Sequence, residues 1–269
     1  MQIINTKKQK ESMNEKAITS FRLFTFITLI VVSGLLIIQV PSSFGKKGFV
    51  PWEDAVFTAV AERHGAAAGE RMRKVHDFII ANQYKPVAEK LELVNDYMNA
   101  LPWIADPDLW KKTDYWATPF ETLTTFGGDC EDIAIAKYTV LRLMGIPDDK
   151  LGFAYVQTSS NERHMVLAYK ESPNVPSYIL DNQHPDVVSA DKRRDLIAIY
   201  AFKNDGTFFL IKDDGKNERE VKAKVEHKKL AMWASAKERS RENTAYYEKF
   251  NGGRPLVPAW LKSGNEVDR

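Results

Sequence analysis

Apolar positions along this chain recur with two different periods, and the change between them falls near residue 150. Before that point the spacing is helical. Pro51-Trp52-Glu53-Asp54 carries the proline and acids of a helix start, and helical patterning continues from Val56 to Arg63 and from Ala67 to Ala81. Pro86 opens a third helix, whose Val87, Leu91, Val94 and Met98 recur at i, i+4, i+7 and i+11 and predict a core-facing stripe. The stretch from Leu101 to Glu121, rich in Trp, Pro and Asp, predicts a loop whose aromatics either cap the core or line a cleft. At Cys130 a glycine turn gives way to an amphipathic helix with Ile133, Ala136, Val140, Leu141 and Met144 on one face, stopped by Gly145-Ile146-Pro147. The period then becomes two. Leu151 to Gln157, His164 to Tyr169 and Tyr178 to Asp181 predict short strands, and Leu196 to Phe202 and Thr207 to Ile211 bracket the hairpin signal Asn204-Asp205-Gly206. The pattern predicts an α+β fold with a helical layer packed on an antiparallel sheet.

The two ends follow other rules. Lys7, Lys8, Lys10, Lys16 and Arg22 precede an uncharged, mostly apolar run from Phe24 to Val40, so residues 1–45 predict a signal peptide or an N-terminal membrane anchor that carries the rest of the chain outward. The run has a length at which a cleavable signal and a spanning helix overlap, and both an exported and an inner-membrane-anchored form follow from it. The main domain is expected over residues 46–219. Residues 220–269 predict a charged helical extension packed on that domain, with Val225, Leu230, Trp233 and Tyr246 as inward contacts.

Composition narrows the function. With 269 residues and 44% hydrophobic content the chain can bury a sizeable core. Its 38 basic and 36 acidic side chains nearly cancel, so no global field points to nucleic acid. A single cysteine excludes an internal disulfide and, in an exported chain, points to a thiol kept for chemistry.

That cysteine lies in Gly127-Gly128-Asp129-Cys130-Glu131-Asp132, at the first turn of the expected helix. There the helix dipole and unpaired N–H groups favour a thiolate and can hold an oxyanion. Downstream, His164 opens one expected strand and Asp181 closes another. Cys130 as nucleophile, His164 as proton carrier and Asp181 as orienting group form a candidate triad. Asp129, Glu131 and Asp132 surround the thiol with negative charge and oppose its ionisation. Either a hard cation such as Ca²⁺ sits among these carboxylates, or they cap the helix and need no metal. No zinc or EF-hand motif is present in the sequence.

Four blocks carry a resemblance: Asp114-Tyr115-Trp116-Ala117-Thr118-Pro119-Phe120-Glu121; Gly127 to Asp132 followed by Lys137-Tyr138; His164 to Tyr169; and Leu180-Asp181-Asn182. Together, across about residues 50 to 200, they resemble the bacterial transglutaminase-like cysteine proteinases of the LapG type. The resemblance implies a papain-like or transglutaminase-like fold and a periplasmic, calcium-dependent endopeptidase. Such an enzyme cuts a large repeat adhesin near its N-terminus, typically at a paired-alanine site, and so releases a biofilm. It also implies sequestration by the periplasmic domain of an inner-membrane cyclic-di-GMP receptor; the nucleotide would bind the receptor, not this chain. By matching blocks, Cys130, His164 and Asp181 carry the triad, and Asp129 and Glu131 carry calcium ligands, with Asp132 as an extension. Two other functions stay open on the residues: a transglutaminase-like acyltransferase, because an amine can resolve the same thioester, and a non-enzymatic calcium-binding interaction module on this fold.

Overall fold

The computed structural model describes residues 48–213, 218–223 and 228–257. The expected signal or anchor lies outside the described residues, as does Val225. Among the described residues no helix is long and apolar enough to cross a membrane.

The helical layer comes first in the chain. It comprises α1 (Asp54–His64), α2 (Ala66–Asn82), α3 (Val87–Asn99), the single turn α4 (Asp106–Leu109), α5 (Pro119–Thr125) and α6 (Cys130–Leu143). Gly65, at φ +93°, parts α1 from α2 and donates its N–H to the Ala61 carbonyl at 2.8 Å, closing the first helix. The stripe expected on α3 is present, with Leu91, Val94 and Met98 buried, whereas Val87 stays exposed at the helix start.

The second half is a seven-stranded antiparallel sheet in the order β4-β3-β2-β1-β5-β6-β7. Its strands are β1 (Leu151–Thr158), β2 (Arg163–Tyr169), β3 (Tyr178–Leu180), β4 (Val188–Ser189), β5 (Leu196–Phe202), β6 (Phe208–Asp213) and β7 (Glu218–Ala223). The hairpin expected around Asn204-Asp205-Gly206 joins β5 to β6, with Gly206 at φ +84°. The chain thus has the α+β architecture that its two periods predict.

Helix α6 packs on β2, α3 and α5, and this explains a departure from the expected one-sided helix. Every residue from Glu131 to Leu143 except Thr139 is buried. A helix buried all round must place its polar groups against partners, and Glu131, Asp132, Lys137 and Arg142 are such groups.

Two further expectations are corrected. The stretch from Leu101 to Glu121 is more than a loop: it contains α4 and the start of α5, which opens with a capping box. The Thr118 hydroxyl accepts the Glu121 N–H at 3.0 Å while the Glu121 carboxylate accepts the Thr118 N–H at 2.7 Å. Its tryptophans divide, with Trp116 stacked on Phe202 in the core and Trp103 exposed. The C-terminal tail is not helical throughout. Glu218–Ala223 pairs with β6 as an edge strand, and the helix α7 (Lys228–Glu248) starts later. Local helix propensity is a weak guide here, because pairing with β6 is a tertiary effect that overrides it. Along α7 the buried ring is Tyr247 rather than the expected Tyr246. Fourteen residues past the buried Trp233 is close to four full turns, which returns Tyr247 to the same face.

Candidate active site

The glycine turn ahead of α6 is held by the preceding loop. Gly128 donates to the Pro102 carbonyl at 3.3 Å, and its own carbonyl accepts the Ile104 N–H at 3.0 Å. A Cβ at Gly128 would stand 2.5 Å from Asp132 Oδ2, so no larger residue fits without moving the carboxylate. The turn delivers Cys130 as the first residue of α6, half-buried, where the first-turn N–H groups have no intrahelical acceptor. The thiol donates to Glu131 Oε2 at 2.9 Å. It also receives the backbone N–H of Met165, the residue after His164. Burial first, then the Glu131 and Asp129 charges, push the thiol well above its ordinary value, against the smaller opposing effect of the Met165 N–H.

His164 and Asp181 meet directly. His164 Nε2 lies 2.7 Å from Asp181 Oδ1, and both side chains are only 1% exposed. Burial alone would raise the Asp181 carboxyl, but hydrogen bonds from His164, the Gln183 N–H and Arg193 hold it well below the usual carboxylate range. An ionised Asp181 requires His164 to carry its proton on Nε2, which leaves Nδ1 as the ring's acceptor. The turn after β3 that bears Asp181 is tied to α3: Asn99 Nδ2 donates to the Asp181 carbonyl at 2.9 Å, and Asn95 Nδ2 donates to the Pro185 carbonyl at 2.8 Å. Lys137 of α6, fully buried, completes the tie by donating to Asn95 Oδ1 at 2.7 Å.

The acids around Cys130 form a larger cluster than the local sequence suggests. Oxygens of Asp106, Asp114 and Glu131, and of Asp106, Asp129 and Asp132, lie within 4.8 Å of one another. Asp106 and Asp114 come from the Trp-rich stretch, more than fifteen residues before the cysteine. Capping does not account for these groups. Asp129 occupies the N-cap position yet makes no side-chain cap bond, and Asp132 Oδ1 accepts the Ala117 N–H at 2.7 Å rather than a helix N–H. Burial, with mutual repulsion, pushes Asp106 up to about 6, Asp132 to about 8 and Asp129 to about 10. One oxygen each of Asp106, Asp129 and Asp132 is buried without a partner. Converging hard oxygens that lack protein donors fit a calcium ion.

The family model described as bacterial transglutaminase-like cysteine proteinase, BTLCP, matches residues 58–203. The chain belongs to this family.

Comparison with curated proteins finds no match. Solved structures of Legionella pneumophila LapG are similar to this proteinase at 29% identity and a TM-score of 0.58. The EGTA-treated form covers 71% of this chain and 100% of its own, and the calcium-bound form covers 70% and 98%. In this proteinase Asp129, Glu131, Asp132, Asp106 and Asp114 are the residues that would hold the ion. Lys229 of α7 donates to both Asp114 oxygens, at 2.9 and 3.1 Å, so the C-terminal helix reaches the same cluster.

Asp106, Asp114 and Arg193 were not reached from the sequence. The first two left a faint signal, several aspartates in an aromatic stretch beside the cysteine block. Arg193 left none.

Proposed function

We propose that this proteinase is a calcium-dependent cysteine endopeptidase in which Cys130, His164 and Asp181 act as nucleophile, proton carrier and orienting group. The observation that carries the reading is the buried 2.7 Å His164–Asp181 pair beside a helix-terminal Cys130 whose sulfur touches the Met165 amide. His164 Nδ1 takes the thiol proton as Cys130 Sγ bonds to the scissile carbonyl carbon. Backbone N–H groups at the start of α6 face the developing oxyanion. The imidazolium returns the proton to the leaving amine as the C–N bond breaks, and water, deprotonated by His164, then resolves the thioester. Asp181 keeps the ring in the tautomer that both steps need.

Glu131 holds the thiol proton and adds negative charge beside the sulfur. Bound calcium supplies positive charge at the cluster and offsets the carboxylates that oppose thiolate formation. The substrate and setting follow the resemblance: a large repeat adhesin cut near its N-terminus, in the periplasm, under control of an inner-membrane cyclic-di-GMP receptor.

The test incubates the purified protein with the N-terminal fragment of a candidate adhesin in calcium and in EGTA, beside Cys130→Ala. Cleavage by the wild type alone, and only in calcium, is the expected result. Persistence in EGTA would remove the calcium requirement, and cleavage by Cys130→Ala would remove the thiol mechanism.

A further inference from the structure

The Asp181 carboxylate accepts three hydrogen bonds, shared between its two oxygens. Oδ1 accepts from His164 Nε2 at 2.7 Å and from the Gln183 N–H at 2.8 Å, while Oδ2 accepts from Arg193 Nη2 at 2.8 Å. Arg193 is itself buried, 6% exposed. It follows a short 3-10 turn (Ala190–Lys192), where its N–H donates to the Ala190 carbonyl at 3.1 Å. Its guanidinium is also anchored by Asp195, which accepts from Nε at 3.0 Å and from the same Nη2 at 2.7 Å. Two carboxylates thus fix the plane of one arginine, and that arginine fixes the plane of Asp181.

We propose that Arg193 is a positioning residue of the catalytic apparatus, holding Asp181 with one oxygen on His164 and drawing off part of its charge. The inference rests on the triad reading given above. Orientation is the first consequence: a carboxylate held at both oxygens cannot rotate away from the ring. Charge is the second. A bare buried carboxylate stabilises imidazolium strongly, which makes the ring a poor acid toward a leaving amine. A cation on the far oxygen restores acidity. The charged groups facing Asp181 are His164 from β2, Arg193 from the segment before β5, and Lys137 from α6 through space. Asp195 faces Arg193 and Asp96 faces Lys137. Of these groups, Arg193 and Asp195 change in the variants that test the proposal, and His164 changes in the control.

Cys130 is the only cysteine, so every thiol modification reports on this site. The experiment measures the rate of iodoacetamide alkylation of the purified protein from pH 5 to 10 in saturating calcium, for the wild type, Arg193→Met, Arg193→Lys, Asp195→Ala and His164→Ala. Peptide cleavage and circular dichroism are measured alongside. In Arg193→Met the alkaline step of the reactivity profile should move up by about one pH unit. Its kcat should fall at least tenfold, at a KM within about twofold of the wild type. Arg193→Lys should bring the step back and recover kcat in part, because an ammonium supplies charge without the planar fork. Asp195→Ala, cut at a half-exposed side chain, should move the step the same way by less.

A folded Arg193→Met with the wild-type profile overturns the proposal, as does activity lost only in proportion to unfolded protein. If Arg193→Met does not fold, a wild-type profile in Asp195→Ala overturns it instead. If His164→Ala keeps the wild-type profile, the triad falls and this inference with it. If His164→Ala changes the profile and Arg193→Met does not, the inference alone falls.

Discussion

Replacing Asp132 by asparagine separates what the acidic cluster costs from what it binds. Asp132 is fully buried, with Oδ1 on the Ala117 N–H at 2.7 Å and Oδ2 unpartnered. Burial foremost, with Glu131 and Asp106 adding repulsion, raises its carboxyl from 3.8 to about 8 in the metal-free protein. The folded chain therefore binds this proton more tightly than the unfolded chain. Between about pH 4 and pH 8 folding takes up a proton, and stability falls as the pH rises. At pH 7 the upper bound is roughly three pH units at about 1.4 kcal/mol each, or about 4 kcal/mol. Neighbouring acids compete for the same proton, which leaves on the order of 2–3 kcal/mol. Asparagine keeps an acceptor for Ala117 and carries no charge. In EGTA at pH 7, Asp132→Asn should therefore melt on the order of 5–10 °C above the wild type, and the gap should close toward pH 4. Calcium reverses the order, because the wild type gains more from a tightly held ion than a variant lacking one charged ligand. Thermal melts across pH 5 to 8 in EGTA and in graded calcium provide the test. An Asp132→Asn protein that melts below the wild type in EGTA at pH 7 refutes the reasoning.

Asp106→Asn and Asp114→Ala should each weaken calcium binding about tenfold or more by isothermal titration, although neither residue adjoins the cysteine; unchanged affinity would remove the corresponding residue from the ligand set. Asp181→Ala should retain residual cleavage where Cys130→Ala and His164→Ala retain none, since an orienting group contributes less than the groups that exchange atoms, and equal loss in all three would contradict that division. Burial lowers the Lys137 ammonium to about 7, against the opposing charges of Asp181 and Asp96. The unfolded chain thus holds this proton more tightly, and stability should rise between about pH 7 and pH 10. In saturating calcium, Lys137→Met should flatten that rise in urea titrations; a variant with the wild-type slope would contradict the assignment.

The sequence by itself determined the longer helices, most of the strands and their order. The switch from a period near 3.6 to a period of two marks where helices end and the sheet begins, because those periods are set by local backbone geometry. Cys130 at a helix start, His164 near the start of a strand and Asp181 just past one were legible for the same reason: each position is defined by its immediate neighbours. The strand at Glu218–Ala223 and the inward Tyr247 were misread because local propensity does not say which edge or face the rest of the fold leaves open. Tertiary structure alone decided the cluster. Asp106 and Asp114 reach Glu131 only because the Trp-rich stretch folds back across the first turn of α6, pinned by the Ala117 N–H on Asp132 and the Gly128 bonds to Pro102 and Ile104. Arg193 reaches Asp181 only because the chain returns past the end of β3 before entering β5. Contacts between segments distant in sequence leave no period and no spacing behind, since they are selected by packing and charge in three dimensions.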